Sequence, residues 1–105
     1  MKKSVFFFLL VLLFSACSDN QELINSPQKN DIYIFEEAGI YSPMKVDDVK
    51  GDTLYLVNSK FIFENSIPKP SDILDEEFDR SFFLIYEKEE IERLFNEGKI
   101  VEVYR

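Results

Sequence analysis

The stretch Asp31–Val57 reads DIYIFEEAGIYSPMKVDDVKGDTLYLV, and it decides the fold. Its β-branched and aromatic runs, separated by turn residues, are typical of short antiparallel strands. They predict strands at Asp31–Glu37, Ile40–Val49 and Thr53–Val57, with turns at Ala38–Gly39 and Lys50–Thr53. Gly51 takes a positive φ without steric cost, which favours a tight hairpin between the second and third strands.

The chain after this stretch predicts more strand and one helix. Ser81–Tyr86 is apolar on both faces, which indicates a central strand. Glu87–Glu97 carries an i, i+3, i+4 apolar stripe and is followed by Gly98, so it predicts a helix with a glycine stop. The remaining segments are assigned in order: Phe61–Phe63 extends the sheet or starts another strand, Ile67–Arg80 is an exposed acidic loop, and Ile100–Tyr104 is a last strand.

These elements predict one mainly β (α+β) domain over residues 31–105. We expect a small bent antiparallel sheet, or a half-open barrel, with one helix near its C-terminal side (about 87–97) and a final strand. The order of elements resembles that of small SH3-like or OB-like barrels. A likeness at this level carries no function.

Composition excludes several classes of function. The 105 residues carry 12 basic and 20 acidic side chains, for a formal charge of −8, with no histidine, no tryptophan and one cysteine. A Cys/His zinc site, a disulfide framework and a histidine-based triad are therefore excluded, and no cofactor is expected. The acidic balance argues against nucleic acid as a partner, because binding it needs basic side chains on the phosphates.

The N-terminal residues have the pattern of a secretory signal peptide. Lys2 and Lys3 form a basic start, Val5–Phe14 is continuously apolar, and Ser15 and Ala16 are small. The apolar run is shorter than the roughly 20 residues that a spanning helix needs. We therefore expect residues 1–16 to be removed, which changes the formal charge of the remaining chain from −8 to −10.

The residues Phe14-Ser15-Ala16-Cys17 resemble the lipobox of bacterial lipoproteins, although that family usually has leucine where Phe14 stands. The resemblance implies that Cys17 receives a diacylglycerol group and becomes an acylated N-terminus, so that the protein is anchored in the cell envelope. Two or three acyl chains give stable anchoring, whereas one does not. Ser18 resembles an outer-membrane sorting residue. Ser18-Asp19 also resembles an export signal to the outer face, and the periplasmic or surface orientation stays open.

Residues 17–30 are assigned to the lipidated cysteine and a flexible tether. The segment after Cys17 is polar and has no sustained periodicity, and as a coil it would span roughly 20 Å. The alternative is that Leu23 and Ile24 dock onto the domain.

Two groups of side chains are candidates for binding. Aromatic residues expected to remain exposed, together with nearby acids, would suit a basic protein partner. This group comprises Tyr41, Phe78, Tyr104, Asp75, Glu76, Glu77 and Asp79. Asp47, Asp48 and Asp52 flank the Gly51 turn and are weak candidates for a calcium site, but a solvated acidic face is favoured.

These observations predict a non-enzymatic, lipid-anchored envelope protein whose domain binds another protein. The sequence contains no credible nucleophile motif. Ser42–Lys45 matches the Ser-x-x-Lys pattern of penicillin-binding enzymes, but a proline lies inside the match and no Lys-Thr-Gly follows. Three other functions stay open: an immunity or inhibitor protein against a basic toxin or hydrolase, an accessory subunit of an outer-membrane assembly, and a calcium- or glycan-binding module.

Overall fold

The computed structural model describes residues 19–105, which form a five-stranded antiparallel sheet with two helices. The strands lie in the order β4-β3-β2-β1-β5. The elements in chain order are α1 (residues 19–25), β1 (Ile32–Glu37), β2 (Ile40–Lys50), β3 (Thr53–Ser59), β4 (Phe78–Glu87), α2 (Lys88–Asn96) and β5 (Ile100–Tyr104). None of the helices in this described part is long and apolar enough to cross a membrane.

Two tight turns join the first three strands. Ala38 and Gly39 both have positive φ (52° and 80°), so the β1–β2 turn has the handedness that suits twisted strands. Gly51, at φ 60°, opens the β2–β3 turn, after which Thr53 pairs with Lys50. Both predicted turns are confirmed.

The sheet separates two apolar clusters, one on each side. The helix side is covered by α1 and α2, and its fully or nearly buried residues are Ile24, Tyr33, Val46, Leu54, Leu56, Ile91, Ile100 and Val103. The loop side is covered by the segment 60–77, and its buried residues are Ile34, Val57, Ile73 and Phe78. Alternation along each strand explains the division, because successive side chains point to opposite faces.

Helix α2 begins and ends where the sequence indicates. The Glu87 side chain caps the first turn, and its own backbone N–H donates to Glu90 Oε1 at 3.2 Å. This reciprocal box satisfies amide groups that a helix start leaves without partners. Gly98, at φ 78°, ends the helix in the left-handed region.

The predicted fold class is confirmed: the domain is mainly β, with a late helix and a final strand. The sheet is not closed into a barrel, since β4 and β5 both lie at its edges. The prediction that the strand at Ser81–Tyr86 is central is therefore wrong. Helix α2 carries the chain across the helix side from β4 to the opposite edge, so β4 pairs only with β3.

The prediction of a flexible tether is wrong for residues 19–30, and the docking alternative holds. Residues 19–25 are helical, and Ile24 is fully buried in the helix-side cluster with Leu23 packed against it. These two adjacent apolar side chains attach the short segment to the helix side of the sheet. The predicted signal peptide (1–16) and the lipidation site Cys17 lie outside the described residues.

An ion pair between a buried carboxylate and a partly exposed arginine holds this N-terminal segment against the sheet. Asp31 is fully buried, and its two carboxylate oxygens accept from Arg105 Nε and Nη2, each at 2.9 Å. The Asp31 carboxylate also accepts from the Gln28 N–H at 2.9 Å, while Arg105 Nη2 donates to the Ser26 carbonyl at 2.7 Å. The bidentate geometry raises the pKa of Arg105, chiefly through its hydrogen bonds to Asp31.

Candidate protein-binding face

The three aromatic residues predicted to be exposed belong to the loop-side core instead. Phe78 is only 4% exposed, and Tyr41 and Tyr104 pack against the same cluster. The Tyr104 hydroxyl donates to the Pro68 carbonyl at 2.6 Å, and burial is the main reason that its pKa is raised. The prediction that these residues form an exposed patch is wrong, because the segment 60–77 folds back over them.

One of the acids predicted to accompany those aromatics, Asp75, holds this covering segment in place. Asp75 forms ion pairs with Lys45 of β2 and with Arg80 of β4, whose Nη2 lies 3.1 Å away. Hydrogen bonds from Lys45 and then Arg80 lower the pKa of Asp75. The other three acids do not join these ion pairs. Asp79 accepts a hydrogen bond from the Ser81 hydroxyl at 2.6 Å, which lowers the pKa of Asp79. Glu76 is exposed and Glu77 is half-buried.

The three carboxylates around the Gly51 turn have separate roles. Asp47 lies 3.5 Å from Arg80 Nε, and Asp48 accepts from the Val49 N–H at 2.9 Å. Asp52 is exposed, and its backbone carbonyl accepts from the N–H of Lys88, at the start of α2. Within residues 19–105, no group of three or more potential ligand residues is placed to hold a metal ion.

The structure reveals a different exposed surface, on the loop side of the sheet beyond the reach of the covering segment. Paired residues of neighbouring strands lie opposite each other, so the strand register defines this surface. One row is Asp48, Tyr55 and Ile85, and the next is Lys50, Thr53 and Glu87. We call these six residues, together with Phe83, the β2–β4 face.

The centre of the β2–β4 face is apolar and aromatic. Phe83 and Ile85 are 46% and 61% exposed, and the Phe83 ring meets Tyr55 edge-on at 6.3 Å and 89°. Lys50 Nζ lies 5.3 Å from the Tyr55 ring centroid, and the Thr53 hydroxyl donates to Glu87 Oε1 at 3.1 Å. The face therefore has an aromatic centre within a mainly polar border.

A bulge in β4 brings Phe83 to this position. Leu56 pairs with Leu84 and Asn58 with Asp79, so four β4 residues, 80–83, oppose a single residue of β3. Such bulges also interrupt the open hydrogen-bonding edge, which hinders edge-to-edge pairing with another strand. The sequence signal for this face is the run Phe82–Tyr86. Because this run is apolar on both faces, it predicted a strand at the centre of the sheet.

A concave feature lies on the helix side of the sheet. A groove of about 610 Å³ separates α2 from the end of the β1–β2 hairpin. Its apolar lining comprises Phe35, Met44, Tyr86 and Leu94, and its charged border comprises Glu36, Glu37, Glu90, Arg93, Glu97 and Lys99. The pKa of Tyr86 is raised, mainly by burial and secondly by the Glu90 charge.

Comparison of the chain with known protein families, with curated proteins and with solved structures finds no match.

Proposed function

We propose that this protein is a lipid-anchored, non-enzymatic component of the cell envelope whose domain binds another protein through the β2–β4 face. The observation that carries the proposal is the aromatic and aliphatic centre of this face, where the exposed Phe83 and Ile85 adjoin the half-buried Tyr55. Anchoring is supported by the lipobox resemblance at Phe14–Cys17 and by the absence of any second cysteine from the sequence.

The composition of the face favours a protein partner. Exposed apolar side chains that adjoin each other on the surface of a small domain often mark an interaction site. Tyrosine and phenylalanine are common at interface centres, because they bury a large area at a small cost in side-chain entropy. The polar border around them matches the usual arrangement of an apolar core within a hydrated rim.

The geometry favours packing on the face over addition of a strand. The bulge at residues 80–83 leaves only a short regular stretch of β4 edge, Leu84–Glu87, which α2 follows immediately. A partner can instead cover the Tyr55–Phe83 pair from the front, where no described segment lies over Ile85. Asp48 and Glu87 border this centre and would meet basic side chains on such a partner.

The test is affinity capture of the lipidated protein from solubilised envelopes, at low and at high salt, with mass spectrometry of the eluate. One stoichiometric partner is expected, and Tyr55→Ser and Phe83→Ser should each reduce its recovery at least about tenfold, as for loss of a hot spot. Phe61→Ser is the control, because Phe61 is 56% exposed, against 46% for Phe83, but lies outside the face. Recovery that is unchanged in both face variants would count against the proposal.

The salt dependence of capture separates two forms of this function. An inhibitor or immunity protein directed at a basic toxin would lose its partner as salt rises, because screening weakens steering by exposed charges. An accessory subunit held by the apolar centre would keep its partner at constant stoichiometry in both buffers.

A glycan-binding module is the second candidate, and the helix-side groove is the observation that favours it. The groove has aromatic side chains at Phe35 and Tyr86, 6.1 Å apart between ring centroids, beside the Glu90 carboxylate. Binding of envelope glycan fragments there would raise the melting temperature by mass action, and Tyr86→Ala would remove that rise. Melting curves that do not change with added fragments would exclude this candidate.

A further inference from the structure

We propose that the domain lies directly on the lipid surface, without a free tether, and therefore meets its partner close to the bilayer. This inference rests on the proposed lipidation of Cys17 and says where the proposed function takes place. The contacts that fix residues 19–31 to the sheet support it.

The first step is the distance available between the anchor and the folded domain. The described helical residues start with Asp19, which is two peptide units along the chain from Cys17. A fully extended chain spans at most about 3.6 Å per residue, so these two units reach no more than about 7 Å. A coil running over residues 18–30 would instead give an average span of roughly 20 Å and a much longer maximum reach.

The second step is the strength of the attachment between α1 and the domain. Ile24 is fully buried, and three hydrogen bonds continue the attachment as far as β1. Gln28 N–H donates to Asp31 Oδ2, Asn30 N–H donates to the Val46 carbonyl, and the Ser26 carbonyl accepts from Arg105. The segment is thus part of the folded unit and cannot extend unless these contacts break.

The consequence concerns the partner. The folded unit starts within about 7 Å of the lipid-bearing residue, so the β2–β4 face stays within about one domain length of the bilayer. A partner that binds this face must present its own surface inside that layer. An integral membrane protein or another membrane-anchored protein of the same leaflet meets this condition at every encounter, whereas a protein confined to a more distant layer does not.

The experiment is hydrogen exchange on the lipidated full-length product in vesicles of zwitterionic phospholipid. The amides of Ser26, Gln28 and Asn30 report directly on the attachment, since each donates a hydrogen bond in the folded domain. We expect them to exchange at least about 100-fold more slowly than in an Ile24→Asp variant, where the segment is released. Exchange in the native protein as fast as in that variant would overturn the inference.

A distance measurement keeps the inference testable if Ile24→Asp fails to fold. Acylation of Cys17 leaves no free thiol, so Asn96→Cys, on an exposed helix position, gives a single labelling site. Energy transfer from this dye to a lipid dye should fall when a 12-residue Gly/Ser insert separates Ser18 from Asp19. Equal transfer with and without the insert would show that the native domain already stands away from the bilayer.

Mass spectrometry of the same samples distinguishes failure of the inference from failure of the proposed function. If Cys17 is acylated but the amides of residues 26–30 exchange freely, direct apposition is wrong and lipid anchoring stands. If Cys17 carries no lipid, the proposed anchoring itself is wrong, and with it the inference.

Discussion

The substitution Ile24→Ala tests whether the N-terminal segment is part of the core. Ile24 is fully buried among helix-side residues, and the change removes three carbon atoms from a closed site. At about 0.8 kcal/mol per buried methylene, with a further term for the cavity left behind, we expect a loss of about 3 kcal/mol. For a domain of this size, that corresponds to a melting temperature lower by roughly 12–24 °C.

The assay is urea unfolding followed by far-UV circular dichroism, on the chain from residue 17 with Cys17→Ser so that no lipid is added. Asn25→Ala is the matched control, because Asn25 is exposed and its side-chain oxygen accepts one hydrogen bond, from the helix residue Gln21. The control should change stability by less than about 0.5 kcal/mol. If Ile24→Ala also changes it by less than this amount, residues 19–30 are a tether after all and the reasoning fails.

Three further predictions concern buried polar groups. Arg105→Met should cost about 1–3 kcal/mol of unfolding free energy, because the buried Asp31 carboxylate loses its charged partner; urea midpoints will show the loss, and Arg105→Lys will show how much a single charge restores. Tyr33→Phe should leave stability unchanged or raise it by about 1 kcal/mol, since the buried Tyr33 hydroxyl has no hydrogen-bond partner within residues 19–105, and a lower urea midpoint would contradict this. Burial raises the pKa of Tyr33, Tyr86 and Tyr104, so the neutral phenols favour the folded state: their contribution is complete below pH 10 and declines above it, which phenolate absorbance and unfolding midpoints between pH 9 and 12 will detect.

The local chemistry of the sequence was sufficient to predict the turns and the late helix. Gly51 and Gly39 occupy backbone conformations that few other residues adopt, and Ile91 lies on the stripe that predicted the buried face of α2. These features depend on residues that are close in the chain. They can therefore be recognised without knowing which strands are neighbours.

The position of β4 depends on distant residues, and so the sequence did not predict it. A strand that is apolar on both faces is usual at the centre of a sheet, but the same pattern arises at an edge that presents a binding surface. Phe83 and Ile85 are exposed because the covering segment 60–77, which lies over the loop-side core, does not extend over them. The candidate binding face was missed for this reason.

Contacts between distant residues also explain why the aromatic residues predicted to be exposed are buried and why an acid predicted to bind a partner pairs within the domain. Phe78 lies among acids in the sequence and so predicted an exposed anchor, yet Asp75 pairs with Lys45 and Arg80 and thereby fixes the covering segment over it. Lys45 and Asp75 are far apart in the chain, so no local sequence pattern predicts this contact. Docking of Ile24 likewise depends on contacts with strands that follow it in the sequence.

The most direct test of the central claim is photo-crosslinking in intact cells from single positions on the domain. A photoreactive phenylalanine analogue at Ile85 lies on the β2–β4 face, and the same analogue at Phe61 lies outside it at similar exposure. The proposed function predicts one dominant protein adduct from position 85 and little or none from position 61. No adduct at position 85, in cells where the protein is folded and lipidated, would contradict it, as would equal adducts from both positions.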